Sequence, residues 1–217
     1  MAYDLEEQEQ IADLKAFWNK FGNLITWVLI IALGSYAGYM YWNNRQLSQA
    51  GEASALYDQL QLALAAKDNA KAQRIAADVE SKYERSSYAP MSALTAAKSA
   101  FDAGDLKTAK VQLNWAIAHG NDEYQSIAKL RLAGVLLDEK AYDEGLKLLA
   151  TTFLPQFAGA VADRKGDILV AQNKVAEARV AYQAALAAMD DKNPGRQLVQ
   201  LKLEAIGGTV ATSKAAA

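Results

Sequence analysis

Residues 24–42 read LITWVLIIALGSYAGYMYW and lie inside a longer segment, residues 21–44, that has no charged side chain. Charged residues make up 22% of the whole chain, so an uncharged segment of this length is unusual. As an α-helix, residues 24–42 would extend roughly 28 Å, about the thickness of the hydrocarbon core of a bilayer. The sequence therefore predicts one transmembrane helix, residues 21–43, that anchors a water-soluble domain.

The flanks of the apolar segment argue against a cleaved signal peptide. Residues 1–20 hold five acidic residues and only two basic ones, Lys15 and Lys20, whereas a signal peptide begins with a positively charged region. Residues 39–43 are too bulky for a small-residue cleavage site. A buried core helix is a third possibility, but it would have no charged face over about six turns, which is unusual outside a membrane.

Positive charges near the segment favour one orientation. Lys15 and Lys20 precede it, whereas Arg45 alone follows it closely. The positive-inside rule therefore places residues 1–20 in the cytoplasm as a short tail, by a margin of one charge. Gly34 and Gly38 form a GxxxG motif within the span. Such a motif marks a contact between membrane helices, although motifs this short also arise by chance.

The composition after the span excludes several classes of function. The chain has no cysteine, so it has no disulfide framework, thiolate nucleophile or cysteine-ligated zinc. Its formal net charge of −2 gives no basic surface for nucleic acid. The one histidine, His119, lies in a predicted turn, where an exposed polar residue is ordinary. No phosphate-binding loop or catalytic motif occurs. We expect no catalytic residue, cofactor or metal ion, and hence no enzyme.

Apolar residues recur at helical spacing through the rest of the chain, between short polar breaks. Three predicted helix pairs can be aligned on their turns, at Gly104, Lys140 and Asn173. The sequence separation between successive turns is close to the length of one tetratricopeptide repeat, about 34 residues. A weaker pair precedes them, with its turn at residues 67–68. An irregular helical bundle is the alternative.

Small residues recur where two helices of such a pair cross, and larger ones fill the space beside them. The small residues are Ala97, Ala133, Gly166, Ala109, Gly145 and Ala178, and the larger ones are Leu113, Leu149 and Tyr182. A last helix, residues 196–206, is predicted to cover the exposed end of the core with Leu198, Leu201 and Ala205. The predicted fold is all-α, with a linker at 44–52, a tetratricopeptide-like domain at 53–207 and a disordered tail at 208–217.

The first helices of successive repeats line the concave face of such an array, which commonly binds other proteins. The residues predicted to face this groove are Met91, Leu94, Lys98, Phe101, Ile127, Leu130 and Leu137. Because most of them are apolar, the groove is predicted to take the apolar face of a helix or an unfolded segment. The alternative is that they are internal core or are covered by a chain terminus.

The whole layout resembles one family, the YfgM-like ancillary subunits of the bacterial Sec translocon. The matching segments are residues 15–18 with Gly22, residues 41–43, 130–133, 162–164 with Gly166, 178–179 and 200–203. None is distinctive alone, but their order, the chain length and the single anchor together make the resemblance specific.

The resemblance implies a bacterial inner-membrane protein with a cytoplasmic N-terminus and a periplasmic domain. Its implied partners are the SecYEG channel, a periplasmic chaperone of the PpiD type and unfolded secretory polypeptides. The implied role is to help pass newly translocated chains to periplasmic folding factors. Two alternatives remain, a structural scaffold of an envelope complex and a stress-signalling protein that acts through its cytoplasmic tail.

Overall fold

The computed structural model describes residues 2–209, which contain no β-strand. The helices are α1 (Ala2–Ala65), α2 (Asn69–Lys82), α3 (Tyr88–Asp102), α4 (Leu106–His119), α5 (Asp122–Asp138), α6 (Tyr142–Leu149), α7 (Ala158–Ala171), α8 (Val175–Ala188) and α9 (Arg196–Ala205). A short 3-10 turn, Pro155–Phe157, precedes α7. The chain separates into two compact units, Met1–Gly51 and Glu52–Ala217. Most of the predicted C-terminal tail, residues 210–217, lies outside the described residues.

The first unit consists of the N-terminal part of α1. Within α1, Glu9–Ala65 is the one described helix that is long and apolar enough to cross a membrane. The large apolar side chains of the uncharged segment, such as Leu24, Trp27 and Ile31, are exposed. The hydroxyl of Thr26 donates to the carbonyl oxygen of Gly22 at 2.8 Å, so this polar group is satisfied inside the helix. Residues 44–52, which the sequence assigns to a linker, are helical.

The second unit is built from four helical hairpins followed by α9. The first helix of each hairpin, called here an A helix, is residues 52–65 of α1, α3, α5 or α7. The second, called a B helix, is α2, α4, α6 or α8. The hairpin before residue 88 is therefore complete, since Ala53, Leu60 and Ala63 of α1 are buried in the core of this unit. The predicted all-α repeat array is confirmed.

All four hairpins turn in the same way between their A and B helices. The turns place a residue in the left-handed region at Lys67, Gly104, Lys140 and Asn173, with φ between 57° and 79°. The next amide then donates back to a carbonyl five residues earlier at 2.8–2.9 Å, in the pairs Asp68–Ala63, Asp105–Ala100, Ala141–Leu136 and Lys174–Leu169. This pattern closes the end of an α-helix. The repetition of one turn geometry makes the hairpins repeats of one unit.

The small residues predicted at the helix crossings are buried. Ala97, Ala133 and Gly166 lie in the A helices and Ala109, Gly145 and Ala178 in the B helices. Their partners Leu113, Leu149 and Tyr182 are also buried, so the predicted packing of each hairpin is confirmed.

The helix α9 covers the end of the array with a different face from the predicted one. Val199 and Leu203 are buried, whereas Leu198 and Leu201 are each 56% exposed, and Ala205 is exposed as well. The polar contacts of α9 explain this choice. Lys202 approaches Asp163 and Asp167 of α7, each at 2.8 Å, which turns the face bearing Val199 and Leu203 onto the array.

Arginines fasten both ends of this last helix. The guanidinium of Arg196, at the start of α9, donates to the carbonyl oxygens of Leu186 and Met189. At the other end, Nε of Arg179 donates to the carbonyl oxygen of Ile206 at 2.7 Å. Because these bonds satisfy carbonyls at helix ends, they hold α9 in register with α8.

Candidate partner-binding groove

The A helices form one continuous layer of the second unit, since α5 packs directly against both α3 and α7. Residues 52–65 of α1 extend this layer. The ring of Tyr57 lies 5.8 Å from the ring of Tyr88 on α3, and the two hydroxyls of Tyr57 and Thr95 are 3.4 Å apart. The outer face of this layer is where the sequence places the groove.

Two of the predicted groove residues on α3 are exposed. Phe101 is 39% exposed, and the side chain of Lys98 is exposed and pairs with Asp102 at 2.5 Å. Met91 is half-buried. Leu94, in contrast, is only 5% exposed and packs with Leu113 and Leu132 in a core cluster. Leu94 therefore contributes to the core and not to an exposed apolar stripe.

The predicted residues on α5 are half-buried. Ile127 packs against the cluster formed by α3, α4 and α5, while Leu130 and Leu137 pack against the cluster that contains Leu149 and Ile168. These side chains join successive hairpins and present only part of their surface outward. On α7, Val170 is 37% exposed and adds an apolar side chain to the same face.

Charged side chains on α7 and α9 form a network at one end of the layer. Lys202 bridges Asp163 and Asp167, and the hydroxyl of Tyr182 donates to Oδ1 of Asp167 at 2.9 Å. Burial raises the pKa of Asp163, although Lys202 opposes the shift. Burial, together with the charge of Asp167, also raises the pKa of Tyr182. The network holds α9 in place.

Two arginines each reach from one A helix to the neighbouring A helix. Nη1 of Arg131, on α5, donates to the carbonyl oxygen of Leu94 on α3 at 3.1 Å. Arg164, on α7, lies over Gly134 of α5, where a Cβ would be 3.5 Å from its Cζ. Sequence reasoning did not single out these arginines as groove residues. Both arginines lie the same number of residues before the turn of their hairpin, and this recurrence in the sequence could have identified them.

His119 is the last residue of α4, just before the turn in which the sequence places it, and its ring stacks on Trp115 with 4.4 Å between centroids. Its Nε2 is 3.6 Å from Oε1 of Glu84. A pocket of about 320 Å³ opens beside it, lined by residues 84–87, Pro90, residues 119–121 and Tyr124. Within residues 9–209, no group of three or more acidic or histidine side chains is arranged to hold a metal ion.

A carboxyl group near His119 titrates abnormally. Oε1 of Glu80 is buried without a hydrogen-bond partner. Burial raises the pKa of Glu80 from 4.5 to about 7, against the opposing charge of His119. Between these two pH values, the unfolded chain loses the Glu80 proton before the folded chain does, so the folded state loses stability as pH rises.

The substitution Glu80→Gln is expected to weaken this pH dependence, because glutamine keeps the neutral form at every pH. Thermal unfolding followed by circular dichroism from pH 4.5 to 8 should show Tm falling less steeply in the variant than in the wild type. Above pH 7 the variant should be the more stable of the two. Glu84→Gln changes an exposed acid that lies beside His119. In this variant Tm should fall with pH as steeply as in the wild type. Parallel Tm curves for wild type and Glu80→Gln would contradict the role of Glu80.

Gly34 and Gly38 lie on an open surface of α1, because a Cβ at either position would meet no atom within 4 Å apart from the adjoining residues and the backbone of its own helix. The predicted contact between membrane helices at these glycines remains a prediction.

Comparisons with known proteins identify relatives that match almost the whole chain. The sequence profile described as "Tetratricopeptide repeat-like domain" matches residues 15–208. A protein of Neisseria gonorrhoeae named "Ancillary SecYEG translocon subunit" is 35% identical over 210 residues, which cover 95% of this chain and 100% of that protein. Proteins of the same name from Haemophilus influenzae and Escherichia coli are 32% and 30% identical, over 85% and 91% of this chain and 91% and 95% of their own lengths. No solved structure matches the chain significantly.

Proposed function

The chain belongs to the family of ancillary SecYEG translocon subunits, and from this membership we propose that it is a non-enzymatic, single-span subunit of the translocon in the bacterial inner membrane. The observation that carries the proposal is the near-complete coverage, in both directions, of the relative that is 35% identical. A match of this kind includes the anchor and the repeat domain together.

The proposed topology follows the charge distribution around the span. Residues 1–20 lie in the cytoplasm, residues 21–43 cross the membrane, and the repeat domain lies in the periplasm, because Lys15 and Lys20 outnumber Arg45. The anchor confines the repeat domain to the membrane plane, which raises its effective concentration near a membrane-embedded partner.

The proposed task of the repeat domain is to hold segments of newly translocated polypeptides and pass them to a chaperone of the PpiD type. The exposed parts of the A-helix layer support this proposal, since Phe101 and Val170 are large apolar side chains left open to solvent. An unfolded polypeptide segment would cover such side chains with its own apolar residues. The groove is defined for this purpose by Met91, Lys98, Phe101, Ile127, Leu130, Leu137 and Val170.

Placing two charges in the groove is expected to weaken client capture. The double variant Phe101→Asp, Val170→Asp should lower crosslinking to a secretory chain stalled in translocation by about tenfold, because carboxylates replace two exposed apolar contacts. Leu94 is unsuitable for this purpose, since a charge in the core would unfold the domain. The measurement is the crosslink yield per molecule of folded protein.

The matched control is Val111→Asp, Val180→Asp, which makes the same change at exposed valines of the B helices α4 and α8. This control should crosslink as well as the wild type. Equal yields from the groove variant and the control would refute the groove assignment. If the protein were a structural scaffold, no crosslink to the secretory chain would form even in the wild type.

A further inference from the structure

Arg131 and Arg164 occupy equivalent positions in successive hairpins. Each lies the same number of residues before the turn residue that follows its helix, which is Lys140 after α5 and Asn173 after α7. Each guanidinium also lies over the preceding A helix, since Arg131 bonds to a carbonyl oxygen of α3 and Arg164 covers Gly134 of α5. The two arginines thus have the same position in the repeat and the same placement against the preceding A helix.

The two positions differ in what neutralises the charge. Arg164 pairs with Asp167, three residues later on the same helix, at 3.5 Å. The residue three positions after Arg131 is Gly134, which has no side chain. Among the residues that the structure describes, no carboxylate oxygen lies within 4 Å of Arg131, and its one bonded acceptor is a peptide carbonyl. The hairpin that begins with α5 therefore has the arginine but lacks the acidic residue that pairs with the equivalent arginine on α7.

Three acids of α3 and α7 are already paired with lysines. Asp102 pairs with Lys98, and Asp163 and Asp167 both pair with Lys202. Asp138 lies about two turns further along α5, roughly 10 Å from Arg131, a distance at which salt screens surface charges. A guanidinium has five N–H donors in a planar fork that matches a carboxylate, and Arg131 uses one of them here.

We infer that Arg131 binds the carboxylate of an aspartate or glutamate in the segment that occupies the groove. The apolar neighbours of that acid lie against Phe101, Ile127 and Leu130. The occupant is therefore an amphipathic polypeptide segment with an acidic residue among apolar ones, which specifies the chemistry of the client. The inference rests on the proposed function of the groove. The positive charge of Arg131 is complementary to an acidic residue, and the half-exposed apolar side chains on either side of it are complementary to apolar ones. Both observations favour this kind of segment as the occupant.

The test compares two peptides of about 15 residues, each with leucines around a central residue in an alanine–glutamine background and a neutral fluorophore. The central residue is aspartate in one peptide and asparagine in its twin. Fluorescence anisotropy with the full-length protein in detergent should show the aspartate peptide binding about tenfold more tightly. The preference should shrink as salt is raised. Arg131→Gln should abolish the preference.

Arg74→Gln is the matched control, because Arg74 is exposed on α2 and also bonds to a peptide carbonyl, that of Ala70. It should retain the tenfold preference. Three results would overturn the inference: equal affinity for both peptides, an unchanged preference in Arg131→Gln, or no binding of either peptide. A dimer that dissociates in Arg131→Gln would also overturn it, since a second copy would then be the occupant. Equal affinities that are both lost in Phe101→Asp, Val170→Asp would refute the arginine role and leave the groove itself intact.

Discussion

Replacing residues 1–45 with a cleavable secretion signal is expected to move the whole protein from the membrane fraction to the soluble fraction of the periplasm. The uncharged segment lies in the one described helix that is long and apolar enough to span a bilayer. No other helix within residues 2–209 can therefore serve as the anchor. Co-purification with the SecYEG channel should fall by about a hundredfold, because the tether no longer concentrates the domain at the membrane. Fractionation followed by quantitative blotting measures both effects.

The position of the cut matters to this experiment. A chain that begins at residue 46 keeps Ala53, Leu60 and Ala63, which belong to the core of the second unit. A chain that begins at residue 69 lacks the A helix that packs on α2, and it should lose cooperative unfolding of this first hairpin. A chain from residue 46 that stays in the membrane after a carbonate wash would contradict the assignment of the anchor.

A second replacement separates tethering from contact within the membrane. Exchanging residues 21–43 for a polyleucine span keeps the tether but removes Gly34 and Gly38. If the tether alone is needed, recovery of the channel should be unchanged. Loss of recovery with the polyleucine span would support a helix contact through the GxxxG face.

Gly166→Ala is expected to lower the free energy of unfolding by about 2–3 kcal/mol. A Cβ at this position would overlap Cε1 of Tyr182 and lie only 2.9 Å from its Cζ, well inside van der Waals contact. Displacement of the tyrosine ring is opposed because the ring is buried and its hydroxyl is bonded to Asp167. The overlap must therefore separate α7 from α8. Urea unfolding of the full-length protein in detergent measures the change.

Gly134→Ala is the matched control, because it adds the same methyl group to an A helix. There the Cβ would lie 3.5 Å from Cζ of Arg164, an ordinary contact. Since alanine favours a helix interior over glycine by about 1 kcal/mol, this variant should be as stable as the wild type or slightly more so. Equal stability of Gly166→Ala and Gly134→Ala would show that the close packing at Tyr182 is unimportant.

The repeat architecture was predictable from the sequence because each hairpin is defined locally. Small residues at the crossings and one turn geometry at Gly104, Lys140 and Asn173 recur at near-constant spacing. The first hairpin was harder to delimit, since its A helix is the end of α1 and no break separates it from the anchor.

The exposed surface was less predictable because it depends on contacts between hairpins. The stripe containing Leu198 and Leu201 reads as the buried face of α9, yet Lys202 and its two aspartates on α7 turn the other face inward. Leu94 likewise shares its helix face with Phe101, but α4 and α5 cover one and leave the other open. Helical periodicity identifies a face, whereas the packing of the next hairpin decides how much of it remains exposed.

The proposed association with the translocon is tested most directly by purifying the full-length protein, tagged at its C-terminus, from native membranes in a mild detergent. Quantitative mass spectrometry then compares its partners with those of an unrelated single-span inner-membrane protein that carries the same tag. We expect the SecYEG subunits and a PpiD-type chaperone to be recovered at least about tenfold above this comparison. Recovery of the channel subunits at the level of the comparison would contradict the proposed association.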